Sequence, residues 1–191
     1  MLTKLKYVKY YSGLLLNNWT TNKLSYSQHQ EDILLESLLP KGVSSFIDVG
    51  ANDGVLFSNT YKFAKLGSRG LCIEPSRSSF LKLTLNHLFH PKIKCIRVGI
   101  SDHAGEMFLS ESGYENVLST ISENICSNSY PVDIISMNDL LQRFPIFRKA
   151  DLVSIDVEGL EDMVIKGAGD SLLQTKIIIL ETDKSNVCQI L

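Results

Sequence analysis

The 191-residue sequence has little of what marks secreted disulfide-rich or zinc-binding proteins. Its four cysteines, Cys72, Cys95, Cys126 and Cys188, form no C-x-x-C pair and have no histidines near them at the spacing of a metal site. We therefore predict reduced thiols and no cysteine-bound metal. Reduced thiols agree with a cytoplasmic setting, where disulfides are rare.

Long apolar runs and an excess of one charge are also missing. No apolar stretch approaches the roughly 20 residues that span a bilayer. The 19 basic and 21 acidic residues leave a formal net charge of −2, so nothing in the charge favours nucleic acid as a partner. A hydrophobic fraction of 44% and a charged fraction of 21% suit a single globular domain of ordinary composition.

Residues 1–25 contain four lysines and no acidic residue. Their only apolar run, Leu14 to Leu16, is too short for a signal sequence, and the apolar face is too weak for a membrane-surface helix. We predict a docked or partly ordered leader, followed by one domain over residues 26–191.

The most informative stretch of the chain is Phe46 to Gly54, which reads FIDVGANDG. Its apolar first half predicts a buried strand, and its second half predicts a bend whose backbone a ligand can approach closely. In an open α/β sheet, ligands bind at such a bend after the first strand. The cofactor-binding residues predicted here are Gly50, Ala51, Asn52 and Gly54.

Asp48 indicates which cofactor this bend suits. A carboxylate beside the loop would repel a pyrophosphate, whereas it would attract the positively charged sulfonium and ammonium groups of S-adenosylmethionine. Gly50 and Gly54, with Asn52 between them, also match the dinucleotide pattern G-x-G-x-x-G poorly. We therefore predict that Asp48 belongs to a site for S-adenosylmethionine rather than NAD.

A second acidic strand end follows twenty residues after Gly54. Residues 70–75 read GLCIEP, a short apolar strand that ends in Glu74 and Pro75. A carboxylate at this position accepts the ribose hydroxyls in nucleotide-binding folds, so we predict Glu74 as the ribose ligand, with Pro75 beside it. A solvated acid at a strand end is the alternative interpretation.

Several segments together resemble one protein family. They are FIDVGANDG, CIEP, Ser101-Asp102 after a strand, residues 154–159 (SIDVEG) with Glu161, and the upstream residues 26–32 (YSQHQED). This combination, over about residues 26–183, is similar to the FkbM family of S-adenosylmethionine-dependent methyltransferases. The resemblance implies an α/β fold with the Rossmann-like, doubly wound and mostly parallel sheet of class I methyltransferases.

The resemblance also implies where the adenine of the cofactor lies. In class I methyltransferases the residue after the third strand is near this ring, which places Ser101 and Asp102 in the cofactor site. Asp102 is equally typical of a turn before His103 and Gly105, and the sequence leaves both interpretations open.

Three acids follow the predicted fourth strand, and we predict all three, Asp156, Glu158 and Glu161, as catalytic residues. A hydroxyl acceptor needs a base to remove its proton, and the apolar neighbours of Asp156 favour the raised pKa that suits a base. Two alternatives stay open. The three carboxylates could hold a cation such as Mg²⁺, although no metal is expected, or Glu158 and Glu161 only stabilise a helix start. His29 is a second candidate base.

The resemblance implies a methyl acceptor that is a hydroxyl of a glycan or of a secondary metabolite, and the residues themselves select neither. The chain departs from the family pattern at Ser154, where many members have lysine, and at Gln30, where glycine is common. We expect both departures to affect acceptor contacts rather than cofactor binding.

The hydrophobic patterns predict alternating helices and strands. Helices are predicted at residues 28–39, 61–66, 76–89, 138–144 and 159–167, the third to fifth strands at 94–100, 152–157 and 176–180, and extra strands at 106–109 and 132–136. Residues 110–130, rich in serine and asparagine, predict a long loop that serves as a lid over the acceptor.

After the predicted fifth strand, the remaining residues are too few for the antiparallel hairpin that completes a class I sheet. We therefore expect an uncovered sheet edge through which copies of the chain could associate. The alternative to an enzyme is a catalytically silent binding module that keeps the same fold. NAD-dependent oxidoreduction is disfavoured, because the glycine spacing is wrong and no Tyr-Lys catalytic pair is evident.

Overall fold

The computed structural model describes residues 12–112, 118–122 and 129–181. The helices are α1 (residues 12–20), α2 (Glu31–Leu38), α3 (Tyr61–Lys65), α4 (Arg77–Asn86), α5 (Met137–Arg143) and α6 (Glu161–Ala168). The strands are β1 (Ser45–Val49), β2 (Arg69–Ile73), β3 (Ile93–Ile96), β4 (Gly99–Ser101), β5 (Gly105–Ser112), β6 (Leu118–Ser122), β7 (Ser129–Ser136), β8 (Leu152–Ile155) and β9 (Ile177–Leu180). Within the described residues, no helix has the length and apolarity to cross a bilayer.

Five parallel strands form the main sheet in the order β3-β2-β1-β8-β9. Strand β1 lies in the middle and all five of its residues are buried, including the polar Ser45 and Asp48, which agrees with a central strand covered on both faces. Because the strands are parallel, their carboxyl ends meet at one edge of the sheet. The predicted parallel, Rossmann-like sheet is confirmed.

Both faces of this sheet are covered. One face packs Phe46, Cys72 and Leu152 against apolar side chains that include Leu35 of α2 and Leu83 of α4. The other face buries a second cluster, in which Ile47, Leu71 and Val153 of the sheet join Leu140 of α5 and Val164 of α6. Each such fully buried aliphatic side chain stabilises the fold by about 1.5–3 kcal/mol.

A second sheet of four strands, in the order β4-β7-β5-β6, was not predicted. Strands β4 and β7 are parallel, whereas β5 is antiparallel to both β6 and β7. The extra strands predicted at residues 106–109 and 132–136 are present within β5 and β7, and they belong to this second sheet, so the Rossmann-like sheet describes only part of the fold. The loop expected over residues 110–130 is wrong in part, because β5 continues to Ser112 and β6 lies in the middle of that range. Residues 113–117 and 123–128 of that loop lie outside the described residues.

The second sheet begins where the predicted third strand breaks. That strand was expected over residues 94–100, but it divides into β3 in the main sheet and β4 in the second sheet. Val98, next to the break, is buried in the core on one face of the main sheet. At Gly99 a Cβ atom would lie 2.9 Å from the Ile134 side chain, so the missing side chain lets β7 approach β4 closely.

Several predicted boundaries shift for identifiable reasons. Helix α2 begins at Glu31 rather than Gln28, because Gln30 has a left-handed backbone with φ of 65°. The hydroxyl of Ser27 accepts a hydrogen bond from the backbone N–H of Asp32, the second residue of α2, at 3.1 Å. Strand β8 ends at Ile155, and helix α4 ends at Asn86, each earlier than predicted.

Helix α1 packs on the domain through α3 and α4. Asn18 donates to the side chain of Asn86 at 3.0 Å, and the Trp19 ring makes an edge contact with Phe89 at 4.6 Å between ring centroids. The ammonium of Lys65 in α3 donates to backbone carbonyls of residues 18, 19 and 21 at 2.9–3.2 Å. A cation placed at the C-terminal end of a helix satisfies carbonyls that have no partner within the helix.

Candidate active site

A cavity of about 290 Å³ opens at the carboxyl ends of β1, β2, β8 and β9. This is the edge of a parallel sheet at which ligands bind in open α/β folds. Leu109 of β5 and Ile121 of β6 also line the cavity, so the second sheet supplies one of its walls. The wall explains why the second sheet matters for function.

The glycine bend after β1 holds two strand ends together. Gly50 has φ of 82°, and a Cβ atom there would collide with the backbone carbonyl oxygen of Asp156 after β8. The N–H groups of Gly50 and Ala51 both donate to the carbonyl of Ile73 in β2 at 3.0 Å. The bend therefore fixes the ends of three strands, and Gly50, Ala51 and Asn52 all line the cavity.

Gly54 has a different role from the other residues of the bend. It does not line the cavity, and its φ is 77°. A Cβ atom there would lie 2.5 Å from Leu83 and 2.9 Å from the Nε2 atom of His87. Gly54 thus allows the bend to pack against Leu83 of α4 and the adjacent His87.

Glu74 lies at the cavity wall as predicted and is already oriented by the backbone. Its Oε2 atom accepts from the N–H of Asn52 at 2.9 Å, and its Oε1 atom accepts from the N–H of Ser76 at 2.8 Å. Each carboxylate oxygen has two lone pairs, so further donors such as ribose hydroxyls can bind. Pro75 beside it also lines the cavity.

Asp48 is buried at the end of β1 and faces the cavity. Burial raises its pKa to about 6, although the Thr60 hydroxyl donates to it at 2.6 Å and partly offsets the increase. The described cavity lining contains five acidic side chains and no lysine, arginine or histidine. A cationic ligand would therefore stabilise the ionised form of Asp48 and lower its pKa.

Asp156 follows β8, the strand next to β1, and also lines the cavity. Burial and, to a lesser extent, the negative charges of Glu181, Glu158 and Asp48 together raise its pKa to about 7. The raised pKa agrees with the predicted base. Glu158 also lines the cavity, where its backbone has φ of 52°.

Glu161 does not line the cavity. Its Oε1 atom accepts from the N–H of Gly159 at 2.9 Å, so it holds the turn before α6. Asp156, Glu158 and Glu161 consequently do not converge. Among the described residues, no group of three or more histidine, cysteine or acidic side chains is placed to hold a metal ion. The alternative of a three-carboxylate Mg²⁺ site is therefore not supported by these residues.

Ser101 and Asp102 are placed away from the cavity. The break in the third strand carries Ser101 into the second sheet, where its hydroxyl donates to the sulfur of Met163 at 3.7 Å. Asp102 forms hydrogen-bonded ion pairs with Lys166 at 2.5 Å and His103 at 2.7 Å, and these lower its pKa to about 2. In this arrangement neither residue lines the cavity at which the adenine was expected.

The upstream YSQHQED segment reaches the cavity through Gln28. Asp32 is fully buried and accepts from the backbone N–H of Tyr26 at 2.8 Å and from the hydroxyl of Ser27 at 2.9 Å. Ser27 in turn forms a parallel bridge with Phe57 in the loop after the glycine bend. This network explains the acid of the motif structurally. His29, the second candidate base, does not line the cavity.

Several cavity residues were not predicted from the sequence. Leu56, Phe57 and Asn59 come from the loop after the glycine bend, and Glu181 follows β9. Phe57 has φ of 57°, which is rare for an aromatic residue and common at functional sites. The signal for Glu181 was present, because an acid directly follows an apolar strand there as it does at Glu74.

Comparison of the sequence with protein-family models finds a match described as Methyltransferase FkbM domain over residues 48–188. This range covers about three quarters of the chain. It contains all five acidic residues that line the cavity, from Asp48 to Glu181. No curated protein matches the chain.

Proposed function

The chain belongs to the FkbM family of methyltransferases and is an S-adenosylmethionine-dependent enzyme, and from this premise we propose that it methylates a hydroxyl oxygen of a glycan or a secondary metabolite. The observation that carries the oxygen assignment is Asp156, a partly buried carboxylate at the cavity wall whose pKa is raised to about 7. A carboxylate of that basicity suits the removal of a hydroxyl proton at neutral pH.

The residues around the glycine bend fit the cofactor. Asp48 is buried, and among the described residues the Thr60 hydroxyl donates to its carboxylate while no basic side chain lines the cavity. It would bind the positive end of the cofactor. Glu74 and Pro75 would hold the ribose, and the backbone of Gly50, Ala51 and Asn52 would approach the amino-acid part. When bound, S-adenosylmethionine supplies a methyl group on a sulfonium.

The protein contributes chiefly alignment and proton removal. Positioning two reactants in one cavity can lower the barrier by about 7–11 kcal/mol. Asp156 would accept the hydroxyl proton, and Glu158 at the cavity wall would bind neighbouring hydroxyls of the acceptor. Glu161 would keep the turn before α6 in place, since its carboxylate holds the N–H of Gly159.

The charge of the cavity restricts the class of acceptor. Five acidic side chains and no basic one line it within the described residues. Like charges brought together at a binding site cost several kcal/mol. We therefore expect neutral or cationic acceptors, and we expect sulfated sugars and uronic acids to be rejected.

Calorimetric titration with S-adenosylmethionine, S-adenosylhomocysteine and NAD tests the cofactor site. Micromolar binding of the first two, without binding of NAD, is the expected result. Glu74→Ala should weaken both affinities at least tenfold, whereas Glu106→Gln on the exposed face of β5 should leave them unchanged. Tight binding of NAD would contradict the assignment.

Transfer of a labelled methyl group to a panel of acceptors tests the reaction. The panel should contain neutral oligosaccharides, amino sugars, phenols and small alcohols, together with sulfated and uronic acid counterparts. Asp156→Asn should lose at least 100-fold in rate while it still binds S-adenosylhomocysteine. Full activity of that variant would remove Asp156 as the base. Cofactor binding without transfer to any acceptor would favour a binding module.

A further inference from the structure

Two carboxyl groups lie side by side at the ends of neighbouring strands. Ile155 of β8 pairs in register with Leu180 of β9, so the next residues, Asp156 and Glu181, lie side by side at the carboxyl ends of the two strands. Their backbone N–H groups continue the hydrogen bonding of the sheet, because Asp156 donates to the carbonyl of Val49 at 2.9 Å and Glu181 donates to that of Ile155 at 3.0 Å. Both side chains line the cavity.

The two side chains lie side by side at the cavity wall, and the interaction with Glu181 raises the pKa of Asp156. Ionised carboxylates only accept hydrogen bonds, so a hydrogen bond between the two groups needs one proton. Among the described residues, the other charged groups that act on Asp156 work in the same direction. Asp48 at the end of β1 and Glu158 in the turn after β8 are both acidic, and within the described lining no basic side chain faces the cavity.

We propose that Asp156 and Glu181 act as one acid–base pair, which shares a single proton at rest, and that Glu181 is a positioning residue that sets the basicity of Asp156. The proposal rests on the O-methylation proposed above. It adds a residue that the sequence did not identify and assigns the titration to the pair rather than to Asp156 alone.

The pair takes part in transfer when the shared proton has left. The carboxylate of Asp156 accepts the hydroxyl proton of the acceptor while the acceptor oxygen forms a bond to the methyl carbon. The carbon–sulfur bond breaks, and its electron pair stays on sulfur. The carboxyl proton then passes to solvent, and the pair returns to its ionised form. The rate should therefore rise with pH through about 7, the raised pKa of Asp156.

Carbon NMR of the side-chain carboxyl groups tests the pair in the full chain without any acceptor. In the unmodified protein, the Asp156 signal should show one step near pH 7. In Glu181→Gln the Asp156 step should move down by at least one pH unit, because a negative charge is lost and an amide donor is gained. Glu106→Gln, far from the cavity, should not move it.

An Asp156 step at the same pH in the unmodified protein and in Glu181→Gln would overturn the proposal. Glu181→Asp keeps a carboxyl group one methylene shorter, so it should restore part of the raised step. If Glu181→Gln fails to fold, Glu181→Asp decides the question. An Asp156 signal that titrates independently of the carboxyl group at position 181 would then overturn the proposal.

The pH–rate profile supplies the second measurement, with an acceptor identified in the panel. Glu181→Gln should move the acidic limb of kcat to lower pH and lower the plateau, with KM for S-adenosylmethionine changed less than threefold. A purely structural role would lower the rate at every pH and leave the limb in place, and that outcome would overturn the proposal. Because the NMR result requires no acceptor, failure of the pair and failure of methyl transfer are distinguishable.

Discussion

At the scale of single residues, Asp48 is proposed to bind the positive end of the cofactor, but the burial of its charge lowers the stability of the fold. Burial raises its pKa from an ordinary 3.8 to about 6, so the native state binds this proton more tightly than the unfolded chain does. The stabilising effect is complete below pH 3.8 and is lost as the pH rises through about 6. Asp48 thus makes the unliganded enzyme less stable at neutral pH than at pH 5.

Replacing Asp48 by asparagine should therefore stabilise the unliganded protein at pH 8, by about 2–3 kcal/mol if the whole shift is recovered. The amide oxygen can still accept from the Thr60 hydroxyl. Urea unfolding at pH 5 and pH 8 measures the effect, and the decline in stability between those values should become smaller. A variant that is less stable than the unmodified protein at pH 8 would contradict the burial argument.

Gly50 and Gly42 provide a matched pair of glycines. Both have a left-handed backbone, with φ of 82° and 79°, but only at Gly50 would a Cβ atom collide with another part of the backbone. Gly42→Ala should cost about 1–2 kcal/mol from the backbone conformation alone and leave cofactor affinity unchanged. Gly50→Ala should cost more and abolish binding of S-adenosylhomocysteine. Denaturant unfolding and calorimetry measure both, and equal effects of the two variants would argue against the contact with Asp156.

At the scale of elements, the start of α2 is strained at one position. Gln30 has φ of 65°, a conformation that costs a residue with a Cβ atom about 1–2 kcal/mol. Gln30→Gly should raise the free energy of unfolding by about 1 kcal/mol, after the greater backbone entropy of glycine in the unfolded chain is subtracted. Gln174→Gly, at an exposed position without a positive φ, should instead lower it. Loss of stability in Gln30→Gly would show that the glutamine side chain makes a compensating contact.

The sequence predicted the elements of the main sheet because their signals are local. Strand β1 contains the apolar residues Phe46, Ile47 and Val49, α4 begins at a serine cap, and α3 ends before a glycine with φ of 88°. The second sheet depends instead on pairing between distant segments. Its strands β5 to β7 contain many serines and other polar residues, so their strand character comes from their partners rather than from intrinsic preference.

The same division explains the site. Asp48 lies near the end of β1, and Glu74 and Asp156 directly follow β2 and β8. Because parallel strands bring their carboxyl ends together, the sequence alone indicated that these acids would meet. Ser101 and Asp102 were assigned from a third strand that was assumed to be continuous. Since that strand breaks before Gly99, Ser101 moves into the second sheet and Asp102 into the bend after it. Which carboxylate of the SIDVEGLE run faces the cavity depends on the turn geometry, which no local pattern specifies.

At the scale of the whole molecule, Lys65 helps to attach α1 to the domain, together with the contacts of Asn18 and Trp19. Its ammonium donates to three backbone carbonyls at the end of that helix, at 2.9–3.2 Å. Lys65→Met should weaken the attachment of α1 to the domain, because each hydrogen bond from a charged donor contributes about 1.5–3 kcal/mol. Hydrogen exchange of residues 12–20 should become faster, and S-adenosylhomocysteine affinity should stay within twofold. Lys149→Met, at an exposed position, should change neither, and unchanged protection in Lys65→Met would refute this attachment.

The shared backbone contact between Gly50 and Asp156 has a consequence for engineering. This contact ties the position of the glycine bend to that of Asp156, so neither can be moved independently. Room for donors with longer alkyl groups must therefore be made elsewhere. We expect replacements at Leu109 and Ile121 to provide this room. Those side chains line the cavity from a separate sheet, so they can be changed without disturbing the contact between Gly50 and Asp156.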